Sequence, residues 1–89
     1  MKYLLLDVGS LSSRDALHDF FARELSLPSW YGRNLDALHD CLTSITEDTV
    51  LSVIRMEDAL PEMEQYCRLL LRMLTDSAEE NPHIHLNIL

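Results

Sequence analysis

Asp36 and Asp40 stand four residues apart in the stretch Leu27 to Ile45, where apolar residues recur at helical spacing. Leu35, Leu38, Leu42 and Ile45 make one stripe at intervals of three and four, and Asp36, Asp40 and Thr43 follow the same spacing on another face. Two carboxylates one helical turn apart can share a metal ion, assist a hydrolysis together with the adjacent His39, or meet cations on a partner. As like charges at i and i+4 they repel by roughly 0.2–0.5 kcal/mol in an isolated helix. Asp36 recovers some of this in the first turn, where negative charge is favoured; Asp40, a turn further on, does not. Fold stability alone does not explain the pair.

Other reactive side chains are arranged less productively. His39, Asp40 and Cys41 are the ingredients of a thiol nucleophile site, but consecutive helical residues point about 100° apart, so they cannot converge. Cys41 falls on the apolar side of its helix and Cys67 in another apolar run; both read as small core residues. His83 and His85 share one strand face, but two ligands do not make a metal site. His18 reads as a polar-face residue of the first helix. The two glycines, Gly9 and Gly32, are isolated, so no phosphate-cradling loop is present. No catalytic residue, metal or cofactor is expected, and the chain is not read as an enzyme.

The elements that position the carboxylates follow from the same pattern. The helix bearing them begins near Asn34, a capping residue type, after a loop from Pro28 to Arg33 that sets Trp30 and Tyr31 before Gly32. Upstream, Tyr3 to Val8 reads as a buried strand closed by Gly9-Ser10. Ser12 and Asp15 have capping-box spacing, and the helix they open carries Leu17, Phe20, Phe21 and Leu25 on one face. Pro28 terminates it. Downstream, Thr49 to Ile54 is a β-branched strand, Met56 to Leu60 a short helical turn, and Pro61 the start of a helix with the stripe Met63, Tyr66, Cys67, Leu70 and Leu74. Asn81-Pro82 ends that helix near Ala78, and His83 to Leu89 alternates as a strand with one wet face. The expected fold is α/β: a single domain, 1–89, with a small three-stranded parallel sheet packed by helices in the order β-α-α-β-(short α)-α-β.

Charge narrows the function further. The 89 residues carry 15 acidic and 7 basic side chains, a net charge of −8. Nucleic-acid backbones are bound by Lys and Arg, so such a partner is disfavoured, and a basic protein is the natural complement. Asp76, Glu79 and Glu80 place a second acidic group at the end of the last helix, against the dipole. Two widely spaced cysteines suggest a reducing compartment. No segment is long and apolar enough for a signal peptide or a membrane span, so a cytoplasmic location without membrane association is the expectation. Trp30 and Tyr31, beside an acidic helix face, have the character of aromatic interface anchors.

The run Glu24-Leu25-Ser26-Leu27-Pro28-Ser29-Trp30-Tyr31-Gly32-Arg33-Asn34-Leu35-Asp36-Ala37-Leu38-His39-Asp40-Cys41-Leu42-Thr43 closely resembles the signature of the barstar family, intracellular inhibitors of small secreted ribonucleases of the barnase type. Length and element order resemble that family over the whole chain. The resemblance implies that the loop and second helix plug a ribonuclease active site through Trp30, Tyr31, Asn34, Asp36, His39, Asp40, Thr43, Ser44 and Ile45, with Asp76 adding a contact from the last helix. It implies that Asp40 enters the site of an RNA phosphate, facing arginines and a catalytic histidine, and that Asp36 pairs with an arginine at its rim. It also implies a one-to-one complex with a basic ribonuclease and a monomer in the free state. Trp30, His39 and Ile45 depart from the residue types of the best-known member, and Asp76 is one methylene shorter than the usual glutamate. The alternative is an acidic protein-binding module on the same fold whose partner is not a ribonuclease.

Overall fold

The computed structural model describes residues 1–89. Its elements are β1 (Lys2–Asp7), α1 (Arg14–Glu24), α2 (Leu35–Thr43), β2 (Thr49–Ile54), α3 (Glu64–Glu80) and β3 (Ile84–Ile88), with short 3-10 turns at Val8–Ser10, Met56–Asp58 and Pro61–Met63. The strands form one parallel sheet in the order β1-β2-β3. The α/β class, the three parallel strands and the helix order are those read from the sequence.

The register explains where the helices lie. Leu4 is opposite Leu51, which is opposite Leu86, and this row points into the core. The next row, Tyr3, Val50 and His85, points the other way, with Tyr3 and His85 exposed. β1 was expected to be a buried strand; instead it alternates, with Leu4 and Leu6 buried and Tyr3 and Leu5 exposed. Its apolar run is continuous, but the helices cover only one face of the sheet, so alternate residues remain wet. On the covered face, Leu17 and Phe21 of α1, Leu38 and Leu42 of α2, and Leu70 and Leu74 of α3 pack with the strand residues into one core.

Local chemistry sets the helix ends. The N-cap of α1 is Ser13, whose Oγ accepts from the Ala16 N–H at 3.0 Å, and not Ser12. The cap thus moves on by one residue, and the expected capping box does not form, since Ala16 at the third helical position has no side chain to reach back. The end of α1 is closed by Ser26 at φ 52°, with Ser26 N–H donating to Arg23 O and Leu27 N–H to Ala22 O. That is a Schellman closure, here without glycine. α3 begins behind a proline turn with no side-chain cap.

Asn81 has a role that its helix-breaking reading did not suggest. Its side chain is buried, and its Nδ2 donates to Leu42 O at 2.9 Å and Ile45 O at 3.0 Å, satisfying carbonyls at the end of α2. Its Oδ1 accepts from the His83 N–H at 3.0 Å. One amide therefore joins the end of α2 to the start of β3 and fixes α2 against α3. Asn81→Ala is expected to lower stability by about 1–3 kcal/mol, because Ile45 O and the His83 N–H lose their partner and Leu42 O loses one of its two donors. Thermal unfolding should register this as a drop in Tm of about 4–8 °C per kcal/mol, and an unchanged Tm would contradict the joint.

Candidate protein-binding face

The loop before α2 is built by three constraints. Asn34 caps the helix: its Oδ1 accepts from the Ala37 N–H at 2.7 Å, and its Nδ2 donates to Gly32 O at 3.2 Å. Gly32 permits this closeness, since a Cβ there would lie 3.2 Å from both Ala37 Cβ and Asn34 Nδ2. Arg33 sits at φ 53° and reaches back to α1, where its Nη2 donates to Asp19 Oδ1 at 2.7 Å and Asp15 O at 3.1 Å. Asp15's carboxylate adds a longer contact at 3.7 Å. The hydrogen bond to Asp19 raises the guanidinium's already high pKa further.

That commitment of Arg33 decides the electrostatics of α2. Asp36 and Asp40 are both exposed, and neither has a basic group within ion-pair distance. Asp76 of α3 is likewise exposed and unpaired. Asp36, His39, Asp76 and Glu80 line one groove of about 390 Å³ between α2 and α3, together with Leu35, Leu69 and Met73. Arg72 borders the same groove without coming within 4 Å of a carboxylate oxygen. His39 is not free: its Nε2 lies 2.9 Å from Glu80 Oε2.

The remaining candidate residues divide. Trp30 is 83% exposed and stands in the loop four residues before the helix cap. Tyr31, its neighbour, turns the opposite way into the core, so it supports the loop and is not an exposed anchor. Thr43 and Ser44 close α2 by donating their hydroxyls to backbone: Thr43 to His39 O at 3.0 Å, Ser44 to Asp40 O at 2.8 Å. Ile45 packs partly against the core and borders a different recess, with Lys2, Leu25 and Thr49. The structure thus brings Asp36, His39 and Asp76 together, sets Asp40 on the adjoining exposed turn, and leaves Ile45 apart from the groove.

Two sequence readings are corrected here. Cys41 is half-buried where a buried core residue was expected, and Cys67 alone is fully enclosed. Burial first and Asp40's charge second push the Cys41 thiol up, the reverse of what a nucleophilic thiolate needs. His18 is not on a polar face: it is only 1% exposed, with Nδ1 2.6 Å from Tyr31 Oη and Nε2 2.7 Å from Tyr66 Oη. The signal was present in the spacing, because His18, Phe21 and Leu25 recur at three and four and lie on the buried stripe. Tyr31's phenol is pushed up to about 12, chiefly by burial.

Fold and face together describe a barstar-like α/β domain that offers unpaired carboxylates from one helix and half of a shared groove. The family model described as "Barstar (barnase inhibitor)" matches residues 1–88. The chain is also similar to the Bacillus subtilis (strain 168) protein named "Putative ribonuclease inhibitor YrdF", at 31% identity over 81 residues, covering 90% of this chain and 89% of that protein. The chain belongs to the barstar family.

Burial lowers the pKa of His18, and Arg33's charge acts in the same direction against Asp15 and Asp19. The unfolded chain therefore takes up this proton first, so His18's contribution is complete above the ordinary value of 6.5 and is lost as pH falls below it toward the folded value. The Tm difference between wild type and His18→Gln is expected to narrow as pH is lowered from about 8 to about 5. A difference that stays constant would show that His18 does not titrate with unfolding.

Proposed function

We propose that this protein is an intracellular inhibitor that binds a basic ribonuclease of the barnase type one-to-one and closes its active site. Asp40 takes the place of an RNA phosphate among the enzyme's arginines, and Asp36 pairs with an arginine at the rim. The reading rests on one observation above the others: Asp36 and Asp40 are exposed one turn apart on α2 with no basic side chain within 4 Å of either, Arg33 being held by Asp19. Carboxylates fixed on a helix and left unpaired meet guanidinium groups with little reorganisation. Family membership supports the inhibitor role. Trp30, exposed in the adjoining loop, and Asp76, across the groove, extend the contact surface, with Asn34, Thr43 and Ser44 along the helix and Ile45 at its far margin. Tyr31 serves from behind by holding the loop. The free protein is a monomer in the cytoplasm, and it needs neither nucleic acid, membrane, metal nor cofactor.

A second reading keeps the surface and changes the partner. His39 is bonded to Glu80 at a position where the family's best-known member has a tryptophan. This favours a basic partner other than a ribonuclease, recognised by charge more than by an aromatic anchor. Affinity capture with a panel of bacterial ribonucleases, followed by capture from lysate, separates the two.

Asp40→Ala is expected to lose capture while keeping the fold, since each charge-assisted hydrogen bond contributes about 1.5–3 kcal/mol, or at least tenfold in affinity. Association should slow as salt rises past about 0.1 M, where the screening length is about 10 Å. Asp36→Ala should flatten that salt dependence more than it changes dissociation. Surface plasmon resonance at several ionic strengths reads both quantities. An Asp40→Ala variant that binds as tightly as wild type contradicts phosphate mimicry.

A further inference from the structure

Tyr31, His18 and Tyr66 form a single buried chain across three elements. Tyr31 comes from the loop before α2, His18 from α1 and Tyr66 from α3. Neither phenol hydroxyl has a protein partner besides the imidazole. A neutral imidazole has one N–H to donate and one lone pair to accept, so one tyrosine must give its proton to His18 and the other must receive one.

The surroundings choose which. Tyr66 borders a cleft of about 440 Å³ that it shares with His18, Arg14, Asp15, Arg33, Asn34, Leu35 and Asp36, so its own O–H can turn toward solvent. Arg14 lies 4.3 Å over the Tyr66 ring at that opening. Tyr31 does not line the cleft. Its hydroxyl has no other acceptor, so it donates to Nδ1, and Nε2–H donates to Tyr66. A second proton on the imidazole would then sit on Nδ1, head to head with the Tyr31 O–H at 2.6 Å. Tyr31 would have to turn its proton away inside the core, where nothing accepts it.

We propose that this chain is a proton-gated clamp on the loop that carries Trp30, making capture of the cationic partner pH-dependent. The proposal rests on the inhibitor reading for its consequence, but the clamp itself is a property of the free protein. The charged groups facing it come from each neighbouring element. Asp15 and Asp19 of α1 favour the proton, Arg33 of the loop opposes it, and Asp36 of α2 borders the cleft. Cys41 of α2 faces Tyr31 and favours the phenol's keeping its proton. Burial sets the net direction against protonation. With His18 neutral, Tyr31 is pinned and Trp30, directed outward beside it, is presented in one position. With His18 protonated, the pin is lost and the loop is released.

Trp30 is the only tryptophan, so its fluorescence and indole N–H resonance report on the loop alone. His18 titration is followed by site-resolved NMR in the same samples from about pH 8 to about pH 5, which also separates it from His39, His83 and His85. In wild type, the Trp30 signals should shift with the midpoint of His18. In Tyr31→Phe, which removes only the hydroxyl, that coupled shift should be lost, and in Tyr66→Phe it should remain. A flat Trp30 signal through the His18 midpoint, or a shift tracking another histidine, overturns the clamp. So does a coupled shift that survives in Tyr31→Phe. If Tyr31→Phe does not fold, the coincidence or separation of the wild-type midpoints decides by itself. Ribonuclease binding measured across the same range should weaken at the His18 midpoint. A protein that captures no ribonuclease at any pH, yet shows the coupled Trp30 shift, removes the inhibitor reading and leaves the clamp standing.

Discussion

The 2.7 Å bond between Arg33 and Asp19 is the interaction on which the proposed binding face depends. Arg33 is the only arginine or lysine in the loop-and-helix stretch that carries Asp36 and Asp40. Held on α1, it does two things at once. It ties the loop to the first helix through side chain and backbone acceptors, and it leaves the carboxylates of α2 without an ion pair. A surface ion pair of this kind contributes little to stability, of order 0–1 kcal/mol. Its consequence lies in where it leaves negative charge.

Repulsion within α2 is small beside the packing that holds it. Leu38 and Leu42 are buried to the last few per cent, and burying a leucine stabilises by about 1.5–3 kcal/mol, several times the penalty for two like charges at i and i+4. Asn34 caps one end of the helix and Asn81 satisfies the other. The rigid support lets the helix carry charges in an arrangement that stability alone would not select. A cationic surface would then relieve repulsion already present in the free protein, which is one way of favouring association without loss of order.

The amphipathic stripes of α2 and α3, the parallel strands and the exposure of Asp36 and Asp40 were all legible in the sequence, because spacing reports which side of an element is wet. What spacing could not report was pairing between distant residues. Nothing near Arg33 in the chain names Asp19 as its partner, and nothing near His39 names Glu80. Tyr31 and Trp30 are adjacent aromatics with similar propensities; only the tertiary fold sends one into the core and the other into solvent. His18 lay on the buried stripe by spacing, yet its polarity argued for a wet face. A buried imidazole requires two partners, and these come from positions 31 and 66. The first strand misled in the opposite sense, since a continuous apolar run does not say how many faces of a sheet are covered.

Phosphate mimicry is the central claim, and competition with a phosphate ligand tests it most directly. A barnase-type ribonuclease captured by this protein would be titrated with a non-cleavable nucleotide, and the apparent affinity for the protein measured at each concentration. If Asp40 occupies the phosphate site, nucleotide and protein exclude each other, and apparent affinity falls in proportion to nucleotide occupancy. If both bind the same ribonuclease molecule together, with affinity unchanged at saturating nucleotide, the carboxylates of α2 do not stand in for RNA.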